Sequence, residues 1–577
     1  MTTYTMFKFL SRKFQSNDKA PPPDVQSAFA SFAGKNRPSM DASQILRFLI
    51  EFQGEKDATM ADAERLIEIL RRDRIHQSPT ARPIISIDEF QEYLFSVGLN
   101  PPILSQVYDD MTCPLSHYYV YTGHNSYLTG NQLSSDSSSA PIRKSLESGV
   151  RVVELDMWPN SSKDNIDIVH GRTLTSPVKL VNCLNSIKEN AFCASSYPVI
   201  ITLEDHLTPD LQAKVAEMIM HTFGNTLFYP ESERLEEYPS PHILKERILI
   251  STKPPEEDLE SNNSKDKKKA EKNAIEKDKE CSKDISDYKN DDDQYEDYFN
   301  GDDQNLLQNA APEYKQIITI TAGKPKSGLL SSLEVNPNTV RRLSLSELQL
   351  EKAAESYGTN IILFTQRNIL RIYPKGTRFT SSNYNPFIGW MHGAQMVAFN
   401  MQGYGKSLWL MQGFFRSNGG CGYVKKPNFL LTGSEKIFNP KAKLPVKKKL
   451  TVKVFMGDGW KEDFSKTHFD NFSPPDFYTR VGIAGVPDDN KMQKTRVIDD
   501  DWIPVWNEEF IFYLRVPELA LLRIEVHEHD ISGKSDFGGQ TCLRVAELRT
   551  GIRAVPLYDK KGVKYNNVRL LMRFLLE

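Results

Sequence analysis

The spacing of apolar positions changes character several times along the chain. Between Pro21 and Leu99, Ile45, Leu46, Leu49 and Phe52, then Leu66, Ile67 and Leu70, then Phe90, Tyr93, Leu94 and Val97 recur at helical spacing. That pattern predicts a helical module over 21–108. Paired helices of this kind can be degenerate calcium-binding hands, but no D-x-[DN]-x-[DN]-G loop closed by a Glu is present, so a packing role is expected.

From Tyr118 the texture becomes short β-rich runs alternating with amphipathic helices. Tyr118–Tyr121, Val150–Trp158, Asp167–His170 and Val199–Glu204 read as strands. Ser176-Pro177 and Thr208-Pro209 each read as a cap followed by proline at the first helical position. Val181, Leu184 and Ile187 then share one face, as do Leu211, Val215, Ile219 and Phe223. Strand–helix alternation predicts a parallel sheet, either a closed barrel or a doubly wound fold. It breaks from Pro254 to Ala311, where Lys267–Lys269, Asp291–Asp293 and Asp302–Asp303 leave too little apolar surface to order the chain. It resumes at Asn360–Phe364, Met396–Asn400 and Leu408–Phe414, so a charged insertion is expected to interrupt one fold. After Pro427, short strands at Leu450–Phe455, Phe477–Ile483, Glu508–Leu514, Leu521–His527 and Val568–Phe574 predict an antiparallel β-sandwich.

Composition narrows the class. At 577 residues several domains are required, and a formal net charge of -3 argues against a globally basic nucleic-acid binder. No apolar run is long enough to span a bilayer, and neither a secretory signal nor an N-terminal myristoyl site is expected from the first residues. The six cysteines form no CxxC pair, which fits a reducing, cytoplasmic setting. Any membrane contact is expected to be peripheral, and a monomer is expected.

Reactive side chains fall at the ends of the strand candidates. His124-Asn125 follows the first, Glu154 and Asp156 sit two apart on the second, His170 ends the third and Glu204 ends the fourth. In an α/β barrel the carboxyl ends of strands form the rim where active sites are built. Asn125, Glu154, Asp156 and Glu204 offer only oxygen donors, a set suited to a hard cation such as calcium rather than to zinc. Two imidazoles beside carboxylate-held charge suit phosphoryl chemistry. A Glu-x-Asp on a strand is more often a solvated face or a structural ion pair. The joint placement of all six residues is what carries the reading.

Pro114-Leu-Ser-His-Tyr-Tyr, Gly123-His-Asn-Ser-Tyr, Val152-Val-Glu-Leu-Asp-Met-Trp, Val169-His-Gly-Arg-Thr-Leu and Pro198-Val-Ile-Ile-Thr-Leu-Glu-Asp-His resemble the X half of eukaryotic phosphoinositide-specific phospholipase C. Arg371-Ile-Tyr-Pro-Lys-Gly, Ser381-Ser-Asn-Tyr-Asn-Pro and Asn418-Gly-Gly-Cys-Gly-Tyr-Val resemble its Y half. The absence of a pleckstrin-type domain resembles the plant branch. The resemblance implies an EF-hand-like module (21–108), a TIM-like barrel split into X (109–253) and Y (312–428) halves by a charged linker (254–311), and a C2 domain (440–577).

It further implies calcium on Asn125, Glu154, Asp156 and Glu204. His124 is implied to stabilise the phosphoryl transition state, and His170 to do acid/base work at the diacylglycerol oxygen. Glu154 or a neighbouring ligand is the implied base. Lys253, Ser344, Arg371 and Tyr373 are implied to hold the headgroup. The implied reaction cleaves phosphatidylinositol 4,5-bisphosphate, and the monophosphate, to diacylglycerol and inositol 1,4,5-trisphosphate through a cyclic phosphodiester. It would occur on the anionic plasma-membrane surface in signalling. Two departures stand out. Ser251 occupies a position where a basic residue is usual, and Thr377 stands where Trp is frequent in an apolar ridge that keeps Leu133. In the C2-like segment, Asp470, Asp476, Glu528, Asp530 and Asp536 are implied calcium ligands in two loops, with Glu528 where Asp is usual. A catalytically silent membrane adaptor is disfavoured by the intact histidine and oxygen-donor set. A glycerophosphodiester phosphodiesterase is disfavoured by the split fold, the Arg371/Tyr373 segment and the sandwich.

An acidic linker would be repelled by an anionic membrane and could shield the site until it lifts away. Deleting Glu256–Asp303 is expected to raise basal hydrolysis of phosphoinositide vesicles, and unchanged hydrolysis would count against shielding.

Overall fold

The computed structural model describes residues 20–577 apart from 35–36, 73–82, 233–234, 254–310, 324–327, 432–436, 466–467, 470–472 and 531–534, together with the backbone of 2–6 and 10–14. The linker read at 254–311 therefore lies outside the described residues, save for Ala311. The chain forms two compact units: Met111–Tyr384 with Ala394–Gln402, and Met1–Asp110 with Asn385–Gly393 and Gly403–Glu577.

The first unit is a closed barrel. Its strands are β1 (Tyr118–Val120), β2 (Val152–Pro159), β3 (Val199–Asp205), β4 (Ile248–Thr252), β5 (Ile318–Thr321), β6 (Arg342–Ser346), β7 (Ile369–Tyr373) and β8 (Met396–Val397). Neighbours pair in parallel all the way round. A bridge from Thr122 to Val152 links β1 to β2, one from Ala322 to Arg342 links β5 to β6, and Met396 opposite Val120 closes β8 onto β1. Closure leaves no strand edge and gathers the carboxyl ends at one mouth. Buried aliphatics on one strand face, such as Val153, Leu155, Val199 and Ile201, pack against Leu184, Ile187, Val215 and Ile219 of the flanking helices.

Three local expectations are corrected. Asp167–His170 contributes no barrel strand: Ile166–Ile168 folds back antiparallel on β2, and His170 lies in the loop beyond. The helix expected after Ser176-Pro177 begins at Leu180, because Val178–Lys179 first pairs with that hairpin. Asn360–Phe364 and Leu408–Phe414 lie inside the helices Glu347–Arg367 and Lys406–Phe415, not in strands. A capping box between Ser346 and Gln349 starts the longer helix, and its buried positions keep helical spacing in spite of the β-branched Ile361-Ile362 pair.

In the second unit, helices α1 (Pro23–Ala33), α2 (Ala42–Arg47), α3 (Met60–Arg72) and α4 (Ile87–Phe95) enclose a short antiparallel pair, Ser39–Asp41 with Ile84–Ser86. Capping boxes at Asp41/Gln44 and Ser86/Glu89 fix the starts of α2 and α4. The sandwich follows as β9 (Lys448–Asp458), β10 (Phe477–Ala484), β11 (Lys491–Lys494), β12 (Val505–Leu514), β13 (Leu521–Glu528), β14 (Phe537–Arg544), β15 (Gly551–Tyr558) and β16 (Lys564–Leu576). All of its pairings are antiparallel. A single pair, Gln540 with Tyr558, joins β11-β10-β13-β14 to β15-β16-β9-β12, which makes two layers. Phe455, Met456, Ile552 and Leu571 of the sandwich share the helices' core with Phe48 and Phe90.

A buried polar knot fastens helices to sandwich. Arg553, fully buried, donates to the Gln53 and Thr550 carbonyls and to Asn100 Oδ1, and pairs with Glu55 at 2.7 Å. Replacing it strips several buried acceptors at once. Arg553→Met is expected to cost about 3–5 kcal/mol in urea unfolding of the whole chain, a size typical of breaking a buried pair.

Candidate active site

Glu154 and Asp156 stand two apart on β2, and the register sets Asp156 beside Glu204 and Glu154 beside Thr202 on β3. Because the pleat alternates, the three carboxylates share one face at the mouth of the barrel. Their charge is met from the opposite wall. Arg371 on β7 forms a buried ion pair with Glu154, and Arg342 on β6 donates to Thr202 Oγ1 at 3.3 Å and lies 3.9 Å from Glu204. Burial opposes ionisation of Glu154, yet the Arg371 guanidinium, helped by His124 and the Asn125 amide, holds its carboxyl below the usual value. Asp156 is pushed well above its usual value, first by burial and then by Glu154 and Glu204. Burial also lowers Arg342 to about 10.

Both imidazoles are anchored through Nδ1. His124 Nδ1 lies 3.0 Å from Asn400 Oδ1, and His170 Nδ1 lies 2.7 Å from the Gln132 carbonyl. Each oxygen can only accept, so each Nδ1 carries the proton and Nε2 is the nitrogen left for proton transfer. Burial pushes His124 down to about 4 despite Glu154. The His170 loop is seated by Gly171, where any Cβ would overlap the Trp158 indole, and Trp158 in turn stacks on His206 at 4.0 Å.

The donor set fits a hard cation. Asn125, Glu154, Asp156 and Glu204 supply only oxygens, and Asp156 Oδ1 is buried with no hydrogen-bond partner among the described residues. Asn125 adopts a left-handed φ of 42°, and its backbone N–H donates to Glu154. As they stand, the side chains do not close a cage: among the described residues no three His, Cys, Asp or Glu are arranged as a metal site, and Glu154 is committed to Arg371.

The headgroup candidates divide. Ser344 pairs in register with Arg371, and Arg371 sits 5.3 Å from the Tyr373 ring centroid, so these three gather on β6 and β7. Arg371 is buried in its pair with Glu154. Lys253 lies exposed just past β4, while Ser251 is fully buried with Oγ on the Ile320 carbonyl. In the sandwich, Asp470 lies outside the described residues. Asp476, Glu528, Asp530 and Asp536 meet at one end: Glu528 N–H donates to the Asp536 carbonyl and His529 N–H to that of Asp476. Asp500 joins them through its N–H to Asp476 Oδ1 at 2.7 Å.

Several residues escape sequence reasoning. Arg342 reads as one of an Arg-Arg pair, Gln132 and Ser381 lie outside any periodic pattern, and Asn400 closes the Met396–Asn400 run with nothing to mark it as a partner of His124. Leu174 and Phe379 are exposed apolar tips alongside Leu133. Leu174 N–H donates to the Leu133 carbonyl, and Gln132 N–H to that of Phe379. Phe379, two residues past Thr377, supplies an aromatic group that the missing Trp does not.

Residues 111–254 match the model for the phosphatidylinositol-specific phospholipase C X domain, and 315–429 match that for its Y domain. Residues 448–559 match the C2 domain, and 21–100 the phosphoinositide-specific phospholipase C EF-hand-like domain. Phosphoinositide phospholipase C 6 of Arabidopsis thaliana is 56% identical over 100% of this chain and 97% of its own. The 1-phosphatidylinositol 4,5-bisphosphate phosphodiesterase delta-3 of Mus musculus is 32% identical over 96% and 68%. The crystal structure of S. officinalis PLC21 superposes with a TM-score of 0.74 at 24% identity, covering 96% of this chain and 68% of that one.

Gly171→Ala is expected to displace the His170 loop and lower kcat roughly 10–100-fold, the scale of an ångström-sized misplacement. Circular dichroism should show a folded chain, and retention of parental kcat would contradict the seating role.

Proposed function

This chain belongs to the phosphoinositide-specific phospholipase C family and is an enzyme of that class, and from there we propose that it performs calcium-dependent cleavage of phosphatidylinositol 4,5-bisphosphate and of the monophosphate. The products are diacylglycerol and inositol 1,4,5-trisphosphate. The observation supporting this reading is that three carboxylates in strand register share the barrel mouth with two imidazoles anchored through Nδ1.

In this reading the inositol 2-hydroxyl attacks phosphorus while its proton passes to Glu154 or an adjacent carboxylate. His124, charged when an anionic phosphodiester is bound, donates from Nε2 to a phosphoryl oxygen as negative charge builds there. The bond from phosphorus to the diacylglycerol oxygen breaks as His170, entering the step doubly protonated, delivers its Nε2 proton to that oxygen and becomes neutral with Nδ1–H kept on the Gln132 carbonyl. Neutral His170 then takes a proton from water as the water oxygen bonds to phosphorus, and the bond from phosphorus to the inositol 2-oxygen breaks as the carboxylate that took its proton returns it. Asn125, Glu154, Asp156 and Glu204 would hold calcium, which supplies the positive charge that acidifies the attacking hydroxyl and offsets the phosphoryl charge. Lys253, Ser344, Arg371 and Tyr373 would receive the ring and its phosphates.

The chain acts as a monomer bound peripherally to the cytoplasmic side of the plasma membrane. Among the described residues no helix is long and apolar enough to cross a bilayer. Leu133, Leu174 and Phe379 offer apolar tips that could enter an interface. Asp470, Asp476, Glu528, Asp530 and Asp536 would bind calcium in the C2 domain and couple it to anionic lipid.

Hydrolysis of mixed phosphoinositide vesicles across a calcium titration tests the reading. Activity is expected to vanish with chelator and to fall about 10²–10⁴-fold in His170→Ala. Calcium-independent turnover, or a His170→Ala chain with parental activity, would overturn it.

A further inference from the structure

We propose that Gln132, acting with Asn400, is a positioning residue that sets the orientation of both imidazoles at once. This rests on the assignment of His124 and His170 to the chemistry. Gln132 is 6% exposed, and all of its polar atoms in the site are engaged. Oε1 accepts from Asn125 Nδ2 at 2.9 Å, and Nε2 donates to Ser381 Oγ at 2.8 Å and to Asn400 Oδ1 at 3.1 Å. Its main-chain carbonyl accepts from His170 Nδ1 at 2.7 Å. Asn400 Oδ1 is the atom that also receives His124 Nδ1. One residue therefore reaches His170 directly, His124 through a single carboxamide, and Asn125 beside it.

The amide can sit only one way round. Ser381 donates its own proton to the Gly130 carbonyl at 2.7 Å, so toward Gln132 its oxygen must accept. Asn400 is held likewise: its Nδ2 donates to the Ser382 carbonyl at 3.3 Å, and its main chain is clamped at both ends by Asn383. Turning either amide over would set oxygen against oxygen in a buried place. Asn400 Oδ1 is thereby kept as an acceptor, which fixes His124 in the tautomer with Nε2 unprotonated until it gains a charge. Neither Gln132 nor Asn400 is placed to touch substrate in this scheme. They act through the rings they hold, as outer partners of catalytic histidines do elsewhere.

The test uses the full chain on phosphoinositide vesicles at saturating calcium, with thermal melts on every variant. Gln132→Ala is expected to lower kcat roughly 10–100-fold with KM within about twofold, as loss of alignment rather than of binding requires. Asn400→Ala should lower kcat similarly, and the double variant should be scarcely worse than the poorer single, because both interrupt one chain of bonds. Asn400→Asp, whose carboxylate still accepts from Gln132 and His124 but turns an oxygen toward the Ser382 carbonyl, should lose thermal stability yet keep more of the kcat than Asn400→Ala. Parental kcat in Gln132→Ala, or losses that multiply in the double variant, would overturn the inference. If Gln132→Ala fails to fold, the Asn400→Ala and Asn400→Asp comparison decides alone, and equal impairment of the two counts against. His124→Ala and His170→Ala serve as controls: should either stay active, the assignment of the chemistry fails, separately from the positioning role.

Discussion

A buried ion pair between Glu154 and Arg371 carries the electrostatics of the barrel. Three carboxylates on adjacent strands cannot all stay ionised in a low-dielectric mouth without opposing charge, and β7 delivers that charge from 217 residues further along the chain. Arg342 adds a second cation from β6. The two halves of the barrel are thus tied by charge as well as by strand pairing. Removing either partner would strand the other in a place water does not reach. The same compensation accounts for the opposite behaviour of neighbouring acids, with Glu154 held low and Asp156, lacking a guanidinium of its own, driven up.

Much of this was legible in the residues. Val199–Asp205 announces itself as a continuous apolar run ending in acid, which is how a strand buried on both faces and finishing at a polar rim must read, while Val152–Pro159 alternates apolar residues with Glu154 and Asp156. The pairing of Glu154 with Asp156 on one face needs only the two-residue period. The five sandwich strands expected are all present, with ends placed within about four residues, whereas Lys491–Lys494, Phe537–Arg544 and Gly551–Tyr558 escape, the last two because they are buried almost throughout and show no alternation.

What was not legible depends on contacts that skip along the chain. The hairpin bearing His170 looks like the next barrel strand, since strand direction leaves no mark on a short apolar run. Asn360–Phe364 carries β-branched residues that favour a strand locally, and tertiary packing overrides them inside a long capped helix. Gln132 and Asn400 sit in loops, and the contacts that join them to each other and Asn400 to His124 span hundreds of positions, which no local pattern announces. For Arg341 and Arg342, composition alone does not say which guanidinium turns into the barrel.

The stretch from Gly130 to Leu133 has a consequence for how such a protein can change over time. Leu133, 44% exposed, is covalently next to the glutamine whose carbonyl holds His170, and its own carbonyl is bonded to Leu174. Greasier or bulkier tips at this lip would tug on the very backbone that aligns the imidazoles. On the proposed reading of the lip and the imidazoles, selection for stronger or weaker adhesion to lipid would meet a penalty in turnover here. Variation in adhesion is more freely explored on surfaces that share no backbone with the reacting groups, such as the loops of the sandwich.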